Sequence, residues 1–338
     1  MSSRPVFSAS RAISRRAFVA TVAASAGVFF GQPFPAFAHG APAAAPKSAA
    51  RPLHKLFLLD EPRRQLLYVD EAAPANNWAI PLEGGPAWSM QLVGGNRVLV
   101  ALPGKGGYRE YDMASKKSVR EKFDKARYSG AMSAIRLADG RTVLACEGGG
   151  RARSPVRIFL FDKNDTERAR WEFPQISALR LVRATPAGTL LFGSNKDHIF
   201  EIDLAGRVLR EARVPGAAYI FQVSALGGGR LLAACGYSGF LAELDARNKV
   251  VRKLGGRPEP AGLKFIFMSQ FQRLANGNTV VATWTGHRGP DSAKGQQLVE
   301  FDPRGEVVWK WHDANLAGSI LGVIVADGID PSRFHPAY

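Results

Sequence analysis

The chain has 338 residues, with 45 Lys and Arg against 29 Asp and Glu, so its net charge is +16; 46% of it is apolar, with 35 glycines and two cysteines. A basic surplus favours anionic ligands or surfaces in a salt-dependent way, but no interleaved aromatic and basic motif supports a nucleic-acid partner. Beyond the first forty residues no segment joins helical periodicity to capping signals, which excludes a helical fold and leaves one all-β domain of about 280 residues.

Residues 1–38 read as an address. Ser14-Arg15-Arg16-Ala17-Phe18 precedes an uncharged, Ala-rich stretch from Ala17 to Phe30, and Ala36-Phe37-Ala38 offers small residues to a peptidase. The segment resembles a twin-arginine export signal in which Val19-Ala20 replaces the usual Leu-Lys; the basic end of an ordinary secretory signal is the other reading. Either way the expected location is the periplasm, with no membrane span left after cleavage, because the apolar stretch is shorter than the ~20 residues a span needs. Cleavage would remove four arginines and no acid, taking the net charge to +12. Residues 39–52 form an Ala/Pro-rich linker.

From residue 53 to 330 two signals recur. A Gly-containing turn follows an apolar run at Gly95, Gly140, Gly188, Gly229, Gly277 and Gly328, at spacings of 45, 48, 41, 48 and 51 residues. A later apolar run ends in Asp70, Asp112, Asp162, Asp203, Asp245 or Asp302. These spacings suit four-stranded propeller blades. In the third unit the strands are expected at Leu179 to Arg183, Thr189 to Gly193, His198 to Asp203 and Arg207 to Val214. Each Asp is expected to accept backbone N–H bonds in the tight turn that follows it.

Leu53 to Leu82 holds three strands without a first, and Ser319 to Asp330 a first strand alone. The predicted fold is therefore a six-bladed β-propeller whose closing blade joins the N-terminal three strands to the C-terminal one, which removes an open sheet edge. Residues 331–338 form a tail with no strand pattern. Cys146 and Cys235 take the same second-strand position in blades two and four, too far apart to bridge, and read as small core residues.

Blade five, FQRLANGNTVVATWTGHRG followed by QQLVEFDPRGEVVWKWHD, resembles the repeats of quinoprotein-like β-propellers and of the bacterial arylsulfotransferase group. Quinoproteins would imply bound pyrroloquinoline quinone, but they have eight blades and adjacent cysteines, so none is expected here. Trp78, Trp171 and Trp309 resemble that superfamily's inter-blade docking tryptophans.

Function in propellers sits on the face that carries the loops between second and third strands and the connections between blades. Pro103 to Tyr108, Glu147 to Pro155, Ser194 to His198, Gly255 to Lys264 and Thr285 to Gln296 are placed there. The last, with Trp284 just before it, carries His287 and Arg288. His287 is the candidate general base or covalent acceptor, with Arg288 and Lys264 stabilising an anionic transition state; the arylsulfotransferase resemblance favours such a histidine. Gln222, Gln270 and Arg180 are expected to line the channel, with His198 able to approach it. No two histidines stand at ligand spacing and no Asp-rich calcium loop is present, so no cofactor is expected, although a Ca²⁺ gathered from several blades, as in lactonase-like propellers, is compatible with the sequence. The preferred expectation is an exported, monomeric, non-catalytic propeller that binds a small-molecule or protein partner, anionic ones included. The alternative is a hydrolase or sulfuryl transferase centred on His287.

Overall fold

The computed structural model describes residues 51–148 and 155–337. The export signal, most of the linker and the middle of the Glu147 to Pro155 loop lie outside these residues.

The chain opens with β1 (Lys55–Asp60), β2 (Gln65–Asp70) and β3 (Trp78–Pro81). Blade 1 follows as β4 (Ser89–Gly94), β5 (Arg97–Leu102), β6 (Gly107–Asp112) and β7 (Ser118–Phe123). Blade 2 is β8 (Ala131–Arg136), β9 (Thr142–Cys146), β10 (Val156–Phe161) and β11 (Glu167–Phe173). Blade 3 is β12 (Val182–Ala184), β13 (Leu190–Gly193), β14 (His198–Ile202) and β15 (Val208–Arg213). Blade 4 is β16 (Gln222–Gly227), β17 (Arg230–Ala234), β18 (Phe240–Leu244) and β19 (Val250–Gly255). Blade 5 is β20 (Phe267–Arg273), β21 (Thr279–Trp284), β22 (Leu298–Phe301) and β23 (Val307–Trp311), and β24 (Ile320–Val325) ends the series. Each blade is one antiparallel sheet of four. The sixth has the order β24-β1-β2-β3, with Leu56 opposite Val325 and Asp60 opposite Ile320, so the two ends of the ring are sewn together as the repeat predicts.

Burial follows from this stacking. The inner strands are covered on both faces by neighbouring blades and read as unbroken apolar runs, as in TVLAC of β9. The fourth strands are half covered and alternate, as in ERARWEF of β11. All six recurrent turn glycines have positive φ, from 58° at Gly95 to 86° at Gly140, a region a side chain disfavours. The six strand-ending aspartates do what the sequence implies. Asp162, Asp203, Asp245 and Asp302 each accept the N–H groups two and four residues ahead at 2.8–2.9 Å. Asp70 and Asp112 make shorter versions of the same turn.

Neighbouring blades are joined by glutamines on the innermost strands. Gln91, Gln222 and Gln272 each donate to the carbonyl and accept from the N–H of a single residue one blade ahead: Arg136, Phe271 and Val325 respectively. Trp171 and Trp309 dock between blades as expected. Trp171 lies on Gly206 of blade 3, and Trp309 donates to Glu71 at 3.2 Å and meets His54 edge-on. Trp78 instead stacks on Tyr68 of its own blade. Cys146 and Cys235 are free and buried, in blades 2 and 4, and burial pushes the Cys146 thiol up to about 12.

One sequence expectation needs correction. The first strand of blade 3 begins at Val182 rather than Leu179, because the N–H of Leu181 is taken by Phe221 O of the next blade at 3.0 Å. The segment after Pro331 contains no strand but is hydrogen-bonded to the ring. It straps the lower end of the channel from blade 1 to blade 3, through Gly95 N to Ser332 O (2.8 Å), His335 N to Leu92 O (3.1 Å) and Ala184 N to Ala337 O (3.0 Å). No helix among the described residues is long and apolar enough to cross a membrane.

Candidate functional site

The upper face of the ring carries the loops between second and third strands and the connections between blades. There the chain assembles an arc of aromatic rings. Trp88, entering blade 1, and Tyr219, entering blade 4, hold the Arg180 guanidinium between them at 4.8 and 4.6 Å from their ring centroids. Glu147 Oε2 completes the clamp at 2.5 Å from Arg180 Nη1. Trp88 also packs on the apolar clusters of two sides of the ring, so it lies over the channel mouth.

Tyr219 is the most unusual residue of this arc. Its backbone sits at φ 72°, one of six non-glycine residues with positive φ among those described, and its buried hydroxyl has no hydrogen-bond partner. Burial raises its pKa above the ordinary tyrosine value. Strain of this kind costs about 1–3 kcal/mol and is concentrated at functional sites. From Tyr219 the arc continues through Tyr237 and Phe267 to Trp284, with centroids 4.7–6.3 Å apart.

The arc ends on a polar pair. Trp284 Nε1 donates to Glu61 Oε2 at 2.5 Å, and His287 Nδ1 lies 2.7 Å from Glu61 Oε1, with the His287 ring edge-on to Trp284 at 4.7 Å. Glu61 is buried, whereas the His287 side chain is 66% exposed. A carboxylate only accepts, so Nδ1 carries the hydrogen in this contact and Nε2 is the free basic nitrogen. Ser319 positions both partners: its carbonyl takes the Glu61 N–H at 3.1 Å, and its hydroxyl takes the N–H groups of Thr285 and Gly286 at 2.8 and 3.1 Å.

The sequence-derived candidates divide. His287, Trp284 and Arg180 meet at the mouth, although Arg180 stands in the connection before β12 and not on an inner strand. Arg288 turns outward, 81% exposed and 4.0 Å from Asp291, and Lys264 is exposed with its carbonyl against Gly295, so the structure does not gather these cations around His287. His198 sits apart, between Asp197 at 3.2 Å and Glu211 at 3.5 Å, beside an outer hollow. Gln222 is spent on joining blades 4 and 5. Gln270 is buried in the channel, with its Nε2 on Val323 O at 3.0 Å. Glu61, Trp88, Tyr219 and Tyr237 were missed, since each comes from a different connection with no local signature, whereas Glu147 stands at the start of a loop that the sequence places on this face. Among the described residues no group of three or more His, Cys, Asp or Glu is arranged to hold a metal ion.

No family model matches the chain, and no curated protein sequence matches it. Several solved structures share the fold. A protein of unknown function from Bacteroides caccae superposes with a TM-score of 0.66 at 22% identity, over 80% of this chain and 98% of that one. A streptogramin B lyase superposes at 0.57 with 12% identity, over 80% and 85%. A catalytically inactive histidine-to-alanine variant of virginiamycin B lyase from Staphylococcus aureus, solved with quinupristin, gives 0.56 at 10% identity, over 80% and 89%. At these identities the likeness is one of fold.

Proposed function

We propose that this chain is an exported propeller that binds an organic ligand at its upper mouth by ring surface more than by charge. The observation that carries this reading is the strained, unpartnered Tyr219 inside a continuous arc of rings. Arg180 is already neutralised by Glu147, so the mouth offers an anion little, while Tyr237, 54% exposed, and His287 present surface to a flat apolar or aromatic ligand. The repeats are quinoprotein-like in pattern, and this reading needs neither a quinone nor a metal. The protein acts as a monomer in the periplasm. A twin-lysine variant, Arg15→Lys with Arg16→Lys, should hold the precursor in the cytoplasm on fractionation; normal export would sink the twin-arginine route.

Binding is tested by titrating tryptophan fluorescence, reported by Trp88 and Trp284, with a panel of aromatic compounds that includes quinupristin. Tyr237→Ala should weaken any binder by about 2- to 10-fold. A silent panel, or binding indifferent to this change, rejects the mouth as the site.

A second reading is favoured by the contact between His287 and Glu61. In it, His287 Nε2 takes the proton of a substrate or water while Glu61 stabilises the resulting imidazolium. The fold similarity to streptogramin B lyases adds quinupristin to the aryl sulfates and lactones worth assaying. His287→Ala should abolish turnover and Glu61→Gln should lower kcat with little change in KM; wild type inert across that panel leaves the binding reading alone.

A further inference from the structure

Below the mouth, the channel holds a charge with no counter-ion. Arg183, on β12, is 2% exposed, and its guanidinium donates only to neutral oxygens: Val182 O at 3.1 Å and Gln222 Oε1 at 3.2 Å. Among the described residues no carboxylate pairs with it. Burial alone pulls its pKa down to about 9. The other buried basic groups among the described residues are treated differently: Arg109 has Glu83 and Glu121, and His54 has Glu300 and Asp327, while the partly buried Arg136 has Glu110. An unpaired buried charge is among the most costly things a fold can hold.

Arg183 lines a cavity of about 270 Å³ between the innermost strands and the C-terminal strap. Gln270 lines the same cavity, and its buried Oε1 has no partner. Gly322 makes room for it, since a Cβ there would stand 2.8 Å from that oxygen. Arg273, half-buried at the rim with an unpartnered Nε, adds a second cation, 3.7 Å from Glu243. A matching occupant therefore needs an anionic oxygen for Arg183.

We propose that this cavity is a binding site for a small oxyanion, of the phosphate or carboxylate kind, held by the Arg183 guanidinium. The site is separate from the mouth and independent of its ligand. The full-length protein is titrated with sodium phosphate, sodium lactate and sodium chloride at matched ionic strength, by thermal shift and calorimetry. Phosphate or lactate should raise Tm with saturable binding in or below the millimolar range, and chloride should not. Arg183→Met should lose the shift while being at least as thermostable as wild type without added oxyanion, because its unpaired charge is gone. Arg183→Lys, which keeps the charge and loses the fork, should bind at least about 10-fold more weakly. Tyr237→Ala at the mouth should bind as wild type does. Equal shifts with all three salts, no saturation in wild type, or undiminished binding in Arg183→Lys would each overturn the proposal, and none of the three requires that Arg183→Met folds.

Discussion

A β-carbon at Gly206 would stand 2.2 Å from Trp171 Cδ1, and the backbone there has φ +81°. Gly188 has nearly the same φ, +80°, with nothing within 4 Å of its virtual Cβ. The pair separates strain from collision. Gly188→Ala should cost about 1 kcal/mol, and Gly206→Ala about 2–4, read as a larger fall in the denaturant midpoint. Equal losses would mean that Trp171 does not dock blade 2 on blade 3. His54 gives a second test at this scale. Burial disfavours its charge, but Glu300 at 2.9 Å and Asp327 at 2.5 Å outweigh burial and raise its pKa above the ordinary 6.5. The folded state therefore holds the proton more tightly. The stabilisation is complete below the unfolded value of 6.5 and is lost as pH rises through the higher folded value. The Tm gap between wild type and His54→Gln should be widest near pH 6 and shrink by pH 9; a gap that is flat or widens upward removes the ion pair from the account.

Innermost strands of neighbouring blades belong to separate sheets, so the glutamine side chains carry hydrogen bonds between them that no strand ladder supplies. Gln272→Ala strips both the N–H and the carbonyl of Val325 of a partner and should cost about 1–3 kcal/mol per group left without one. Gln272→Glu restores the acceptor alone and should recover part of that loss in urea titrations. An undestabilised Gln272→Ala would show that water replaces the side chain. The same residues show what sequence can and cannot disclose. Glycine turns and aspartate turns are local, closing within five residues, and were legible for that reason. Gln222 and Gln270 were legible as inward-facing, but whether such a residue joins blades or faces a cavity depends on a strand some 50 residues ahead. The pairing of His287 with Glu61 spans 226 residues and two blades, and no spacing rule reaches that far. The start of β12 was misjudged because Leu181 bonds to another sheet, which apolar patterning does not register.

At the scale of the whole ring, stability rests on one non-local sheet. β24 supplies the inner neighbour of β1 along its length, and its removal would expose that edge together with the apolar faces of Leu56 and Leu58. A chain truncated after Gly318 should lose its cooperative transition and aggregate, whereas removal of the strap from Ser332 onward should leave six blades with a lower Tm. A truncated chain that still melts sharply as a monomer would mean that five blades and a partial sheet suffice.

The composite sixth blade also orders events during synthesis. β1, β2 and β3 leave the ribosome first, yet their inner neighbour is made nearly last, so the nascent chain carries an unsatisfied strand through most of translation. In a crowded polysome the waiting edge can accept the late strand of a neighbouring copy as readily as its own, which makes reciprocal exchange of β24 the characteristic misassembly of this architecture.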